Sequence, residues 1–150
     1  MNFVLDTNIL LGYFREEPTI LKKLEEIDLF SDGNFVFISI VSSAELMSLA
    51  KQRHWSEVNF QKMLDLLDDF LVVPIDSKQI LAIYSDIDAY SQGKLKDKPL
   101  SIGTSARNME KNDIWIAATA KLTDSTLITM DKDFQHLEGE FISVQILARN

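Results

Sequence analysis

The chain has 150 residues, of which 46% are hydrophobic and 25% charged, proportions typical of a globular domain and not of a disordered segment. Its 15 Lys and Arg residues are outnumbered by 23 Asp and Glu residues, and the net charge of −8 argues against passive binding to a phosphate backbone. The sequence has no Cys, no apolar run near the roughly 20 residues of a membrane helix and no signal-peptide pattern, which predicts one cytoplasmic domain over residues 1–150 without a membrane segment.

Five short apolar runs, bounded by polar or turn-forming residues, predict buried strands. In chain order they are Phe3–Leu5, Phe35–Val41, Leu71–Ile75, Thr126–Thr129 and Phe141–Leu147. Pro74 lies in the third run and indicates a strand at the edge of the sheet, because proline has no N–H to donate to a β-ladder.

Between these runs, apolar residues recur at helical spacing. The predicted helices begin near Ile9, Pro18, Ser42, Val58, Asp76 and Asn112. Asp76 is expected to cap its helix, with Gln79 at capping-box spacing. The segment from Ser91 to Asn108 shows no periodicity and is predicted to be a long loop. Strands that alternate with helices imply an α/β fold with a mostly parallel sheet and helices on both faces.

Acidic residues recur at the ends of two of these strands and at the start of two helices. Asp6 follows the first strand, and Glu45 is expected in the first turn of the helix after the second. Asp113 begins the helix before the fourth strand, and Asp131, with Asp133 close behind, follows that strand. If the first and fourth strands are neighbours where the winding reverses, these carboxylates meet in one crevice, at the sheet edge where ligands bind.

Each acid also has an ordinary structural explanation. Asp6 can cap a helix, and Ser42 with Glu45 matches a capping box. Asp113 can complement a helix dipole, and the aspartates after the fourth strand, beginning with Asp131, can be turn residues. Together, however, clustered carboxylates repel one another unless a cation lies among them. An oxygen-only set of ligands without Cys or a nearby His suits Mg²⁺ or Mn²⁺.

Four segments of the chain resemble, in order, the successive motifs of the PIN-domain family, in particular those of the VapC group of toxin ribonucleases. They are Asp6-Thr7-Asn8-Ile9-Leu10, Ser42-x-x-Glu45-Leu46, Asn112-Asp113-x-x-Ile116-Ala117-Ala118 and Thr129-x-Asp131-x-Asp133-Phe134. The resemblance covers nearly the whole chain, with one departure: Ser48-Leu49-Ala50 stands where many relatives have a Gly. It implies a three-layer α/β/α fold, with a five-stranded, mostly parallel sheet in the order 3-2-1-4-5. It also implies an endoribonuclease dependent on Mg²⁺ or Mn²⁺, and a homodimer that a cognate antitoxin protein silences.

The resemblance also assigns the site. The catalytic acids that it implies are Asp6, Glu45, Asp113 and Asp131. The metal ligands would be Asp6, Asp113, Asp131 and Asp133. Which of Asp131 and Asp133 faces the metal stays open. Asn8 and Thr129 match polar positions that support the site in the family.

Other residues are weaker candidates. Arg107 lies shortly before Asp113 and is a candidate phosphate contact, because Arg can bind phosphate with two parallel hydrogen bonds. His54 and His136 are isolated and are expected to be exposed or partly packed.

The expected function is that of a toxin that hydrolyses RNA phosphodiester bonds. Two alternatives stay open at this point. One is a PIN-like binding domain without catalytic activity. The other is a nuclease or phosphatase of similar fold that acts on another phosphoester.

Overall fold

Five parallel strands form one sheet in the order β3-β2-β1-β4-β5 in the computed structural model, which describes residues 1–148. The strands are β1 (Asn2–Leu5), β2 (Phe35–Ser39), β3 (Leu71–Val73), β4 (Thr126–Thr129) and β5 (Ser143–Ile146). Both the α/β class and the strand order 3-2-1-4-5 are therefore confirmed. β3 lies at one edge, as Pro74 predicts, and β1 pairs with β2 on one side and with β4 on the other.

Six α-helices within residues 1–148 connect the strands. They are α1 (Thr7–Phe14), α2 (Pro18–Glu26), α3 (Ile40–Gln52), α4 (Glu57–Leu67), α5 (Lys78–Ser91) and α6 (Lys111–Leu122). A 3₁₀ helix over Lys132–Leu137 follows β4. Pro18 occupies the first turn of α2, where its missing N–H costs nothing.

Alternation along β1 divides the core into two parts, one on each face of the sheet. Phe3 and Leu5 pack with helices α1–α4, whereas Val4 packs with α5 and α6. Buried residues of the first part include Leu10, Leu24, Leu46 and Met63, and those of the second include Ile80, Ile87, Ile116 and Phe134. Because successive side chains of a strand point to opposite faces, the β1 pattern produces three layers, helices–sheet–helices.

Several predicted boundaries are wrong by a few residues. The second strand ends at Ser39 and not at Val41, because the Ser39 hydroxyl accepts the Val41 N–H and begins α3. Ser77, not Asp76, caps α5 by accepting the Ile80 N–H. The last strand is shorter than the predicted run from Phe141 to Leu147, and the 3₁₀ helix after β4 was not predicted.

The long connection between α5 and α6 contains no helix or strand over 92–110, as predicted. Its backbone is anchored where the Arg107 N–H donates to the Ser91 carbonyl at 2.7 Å. No helix in the described part of the chain has both the length and the apolar character that a bilayer crossing requires.

Candidate active site

Asp6 lies at the carboxyl end of the central strand. Its N–H donates to the Ile128 carbonyl of β4 at 3.0 Å, so that the segments after β1 and β4 lie at the same edge of the sheet. The side chain is only 4% exposed. The sheet order therefore places a buried carboxylate at the point where the winding reverses, the usual position of a ligand site in open α/β sheets.

The Asp6 carboxylate is fixed by two donors. Oδ1 accepts the Thr7 N–H at 2.8 Å, and Oδ2 accepts the Thr129 hydroxyl at 2.6 Å. The Thr129 oxygen in turn accepts the Asp131 N–H at 3.0 Å. Asp6 is thus the N-cap of α1, as one interpretation of the sequence held, and it is also joined by hydrogen bonds to the segment after β4.

Burial raises the pKa of Asp6 above its ordinary value. The hydrogen bonds from Thr129 and Thr7 oppose this shift, and the charge of Asp131 adds to it. Removing the proton from such a carboxyl group leaves a negative charge in a poorly solvated place, which a cation would stabilise.

Glu45 approaches the site from the second turn of α3, and not from the first, because that helix begins at Ile40. Its Oε1 lies 3.1 Å from the Thr7 hydroxyl, which is also 2.9 Å from the hydroxyl of Ser42. The capping box proposed for Ser42 and Glu45 is wrong, since both lie inside the helix. Burial raises the pKa of Glu45, although the hydrogen bond from Thr7 opposes the shift.

Asp113 is the most strongly perturbed acid of the site. It is the third residue of α6, in the first turn. Burial raises the pKa of this carboxyl to about 7 from an ordinary value of 3.8, and repulsion from other carboxylates adds to the shift. Those carboxylates belong, in order of decreasing effect, to Asp6, Asp131, Glu45 and Glu110.

Asp131, and not Asp133, belongs to this group of interacting charges. The negative charge of Asp131 raises the pKa of both Asp6 and Asp113, whereas Asp133 is exposed and is not among the charges that act on them. Asp131 also accepts the Asp133 N–H at 2.8 Å and so caps the 3₁₀ helix. The sequence left open whether Asp131 or Asp133 is the fourth acid, and these interactions favour Asp131.

Glu110 is a carboxylate that the sequence interpretation missed. It occupies the N-cap position of α6, and its charge raises the pKa of both Glu45 and Asp113. The sequence did contain one signal for Glu110. Like Asp6 before α1, Glu110 is an acid that directly precedes a helix, and the first turn of that helix contains Asp113.

Two other predicted residues do not join the group. Asn8 is exposed, and none of the side-chain hydrogen bonds found within residues 1–148 involves it. Arg107 is near His136: burial and the positive charge of Arg107 lower the pKa of His136 to about 4. That histidine is partly buried, with Nε2 2.7 Å from the Ser91 hydroxyl, and His54 is exposed.

The donor set fits a hard divalent cation in charge and in chemistry. Within residues 1–148, the ion pairs join Lys22 to Glu26 and Lys98 to Glu140, so none of the site acids has a cationic partner there. No three His, Cys, Asp or Glu side chains in the described residues already converge closely enough to hold a metal together. In this arrangement Asp6, Glu45 and Asp131 each accept a hydrogen bond from the protein.

Replacing Thr129 with Val should destabilise the protein by on the order of 1–3 kcal/mol at pH 8, because the buried Asp6 carboxylate loses a donor while the shape of the side chain is kept. Thr126→Val on the same strand is the matched control, and we expect it to change the free energy of unfolding by less than about 0.5 kcal/mol. Denaturant unfolding of the three proteins measures the difference. Equal stabilities for Thr129→Val and wild type would show that the Asp6–Thr129 contact is energetically unimportant.

Comparisons with known proteins agree with the fold. A family model described as the PIN domain matches residues 3–140. VapBC-1 from nontypeable Haemophilus influenzae has a similar structure, with a TM-score of 0.73, 24% identity and coverage of 98% of both chains. The structure of VapBC2 from Rickettsia felis bound to a DNA fragment from its promoter is also similar, with a TM-score of 0.72 and 20% identity. The match covers 97% of this chain and 98% of the other.

A toxin–antitoxin complex from Klebsiella pneumoniae gives a TM-score of 0.68 at 23% identity over 98% of both chains. At these identities the similarity demonstrates a shared fold. The comparison with curated proteins gives no match.

Proposed function

The chain belongs to the PIN domain family, and on that basis we propose that it is a metal-dependent endoribonuclease that hydrolyses RNA phosphodiester bonds. The observation that carries the proposal is the crowding of carboxylates around Asp113. Burial and repulsion from these carboxylates raise the pKa of Asp113 to about 7. Such crowding is unfavourable in a folded protein unless a cation relieves it, and an oxygen-only set of ligands is suited to Mg²⁺ or Mn²⁺.

The residues that would hold the cation are Asp6, Asp113 and Asp131, because their charges act on one another. When bound, a divalent cation activates water and stabilises the charge that develops on a phosphoryl group. Thr129 and the Thr7 N–H keep the Asp6 carboxylate oriented through the two hydrogen bonds described above.

Glu45 is suited to a different task from that of the aspartates. The Thr7 hydroxyl holds its carboxylate at the border of the site, and burial raises its pKa toward the pH of the cell. A carboxylate whose pKa is raised in this direction is a better proton acceptor at neutral pH. We therefore assign to Glu45 the removal of a proton from the attacking water.

Cleavage of a single-stranded RNA by the purified protein should require Mg²⁺ or Mn²⁺ and stop in EDTA. We expect Asp131→Asn to lower the rate by at least about tenfold, because it removes a charge from the metal site but can still cap the 3₁₀ helix. Asp133→Asn is the matched control two residues away and should cleave at nearly the wild-type rate. Cleavage that persists in EDTA, or loss of activity in Asp133→Asn alone, would contradict the assignment.

We also propose that the chain is the toxin of a toxin–antitoxin pair in the cytoplasm, and that it forms a homodimer. Two features support an antitoxin partner: structures of similar fold include a toxin–antitoxin complex, and the acidic crevice would attract a cationic side chain. The partner is therefore expected to insert an Arg or Lys among the site acids.

Co-expression with the protein encoded beside it should yield a stable complex in which RNA cleavage is suppressed. Size-exclusion chromatography and the cleavage assay measure the two effects on the same sample. A chain that stays unbound and fully active after co-expression would count against the role as a toxin without affecting the assignment as a nuclease.

A further inference from the structure

A surface cavity of about 460 Å³ lies directly beside Glu45, between α3 and the start of α6. This volume falls within the range typical of small-ligand sites. Its α3 wall consists of Val41, Ala44, Glu45, Ser48, Leu49 and Gln52, and Asn112 of α6 forms the opposite wall. The cavity is thus continuous with the acid cluster, because Glu45 belongs to both and Asn112 directly precedes Asp113.

The residues of the α3 wall recur at spacings of three and four, so that they form one stripe along the helix. A different stripe, Ser42, Leu46 and Ala50, is buried against the protein. The wall extends seven residues from Glu45 to Gln52, or about 10 Å along the helix axis. A ligand that occupies it would lie next to the reacting group rather than on top of it.

The chemistry of the lining suits a neutral ligand that has both polar and apolar groups. None of the lining residues carries a positive charge, and Glu45 would repel a phosphate. Val41, Ala44 and Leu49 offer apolar contact, while Gln52, Asn112 and Ser48 offer amide and hydroxyl groups. Amide side chains are the groups that commonly form paired hydrogen bonds with the edges of bases.

Two amide groups line the cavity, those of Gln52 and Asn112. Gln52 Nε2 donates to the Ser48 hydroxyl at 2.9 Å on the exposed side of α3, which leaves the carbonyl oxygen and the second N–H of the amide for a ligand. None of the side-chain hydrogen bonds found within residues 1–148 involves Asn112, and its side chain is exposed. The mixed lining is less suited to the apolar side of a protein helix, which requires a row of large hydrophobic pockets.

We propose that this cavity binds a nucleobase of single-stranded RNA, next to the phosphodiester held at the acid cluster, and that Gln52 and Asn112 read its edge. The proposal rests on the proposed ribonuclease function for its biological meaning. Single-stranded RNA is read by hydrogen bonds to unstacked bases, so this cavity would give the enzyme a base preference at one position beside the cleaved bond.

The test uses the four uncharged nucleosides, adenosine, guanosine, cytidine and uridine, titrated into the full-length protein in EDTA. Backbone amide NMR spectra should show that at least one nucleoside shifts the signals of Ser48, Gln52 and Asn112 in a saturable manner. Gln52→Ala and Asn112→Ala should each weaken its affinity by at least about tenfold. Gln61→Ala is the matched control, because Gln61 is an exposed glutamine of α4 with a comparable hydrogen bond to Asp65, outside the cavity.

The proposal is overturned if no nucleoside shifts these signals at concentrations up to its solubility limit, or if the shifts persist unchanged in both variants. It is also overturned if the cavity signals respond only to a protein partner. Because nucleoside binding requires neither metal nor cleavage, its failure leaves the nuclease assignment intact. Conversely, nucleoside binding in a protein that cleaves no RNA would leave the base site standing and refute the proposed reaction.

Discussion

Asp113→Asn is expected to lower the rate of metal-dependent RNA cleavage by more than about a hundredfold while leaving the fold intact. Removing a residue that only supports a metal ligand already lowers metal affinity or activity by up to about a hundredfold. Asp113 is proposed as a ligand itself, so a larger loss is expected. The substitution keeps the shape of the side chain and removes its charge. It also disturbs little else, because no side-chain hydrogen bond found within residues 1–148 involves Asp113.

Asp6→Asn should have an effect of the same order, but it is a less selective change. The Asp6 carboxylate accepts from Thr7 and Thr129, and an amide can accept only through its single oxygen. Part of any loss would therefore come from altered geometry. Asp113→Asn is the cleaner experiment for this reason.

Asp124→Asn serves as the control for Asp113→Asn, since Asp124 is an exposed aspartate just beyond the other end of α6. It should cleave at the wild-type rate. All three proteins are compared by circular dichroism and by initial cleavage rates after purification under identical conditions. An Asp113→Asn protein that cleaves as fast as wild type would remove Asp113 from the site and with it the basis of the proposed function.

The sheet was predictable because its strands are short, continuous apolar runs. Val4 is buried in one core and its neighbours Phe3 and Leu5 in the other, which is why the run carries no polar alternation. The ends of the elements were less predictable. Ile40 and Val41 prolong the apolar run of β2 in sequence, yet the Ser39 cap places them in α3, and hydrophobic pattern alone does not distinguish these outcomes.

The site was predictable where local sequence fixes it. Asp6 directly follows β1 and Asp131 lies two residues beyond the end of β4, and adjacent parallel strands bring their ends together. The contribution of Glu110 was not predictable in the same way, because Glu110 ends a 19-residue connection whose course depends on tertiary contacts. One of these contacts is the 2.7 Å hydrogen bond from the Arg107 N–H to the Ser91 carbonyl at the end of α5.

The stability of the metal-free protein should fall as the pH rises from about 4 to about 7. Asp113 has an ordinary pKa of 3.8 and a pKa of about 7 in the folded protein. Between these values the unfolded chain has lost the proton while the folded protein retains it, so the folded state binds more protons. The free energy of unfolding then decreases with rising pH and levels off above pH 7. For this partly exposed group, solvent screening limits the loss to on the order of 1–2 kcal/mol.

Asp113→Asn should flatten much of this pH dependence and be at least as stable as wild type at pH 8 in EDTA, because the variant lacks the repelled charge. A purely structural aspartate would behave in the opposite way. If Asp113 only complements the dipole of α6, its loss should destabilise the protein by roughly 0.3–1 kcal/mol, with or without metal.

Mn²⁺ separates the two explanations further. An ion that binds only the folded protein stabilises it by about 2.7 kcal/mol at a hundredfold excess over its Kd, which corresponds to roughly 5–10 °C in Tm for a chain of this size. Wild type should show this increase at pH 8, and Asp113→Asn should show much less of it. Thermal melts of both proteins, each in EDTA and in Mn²⁺ at pH 5 and pH 8, provide the comparison. A wild-type Tm that does not respond to millimolar Mn²⁺, together with a variant that is less stable in EDTA, would establish Asp113 as a helix-stabilising residue and refute the metal site.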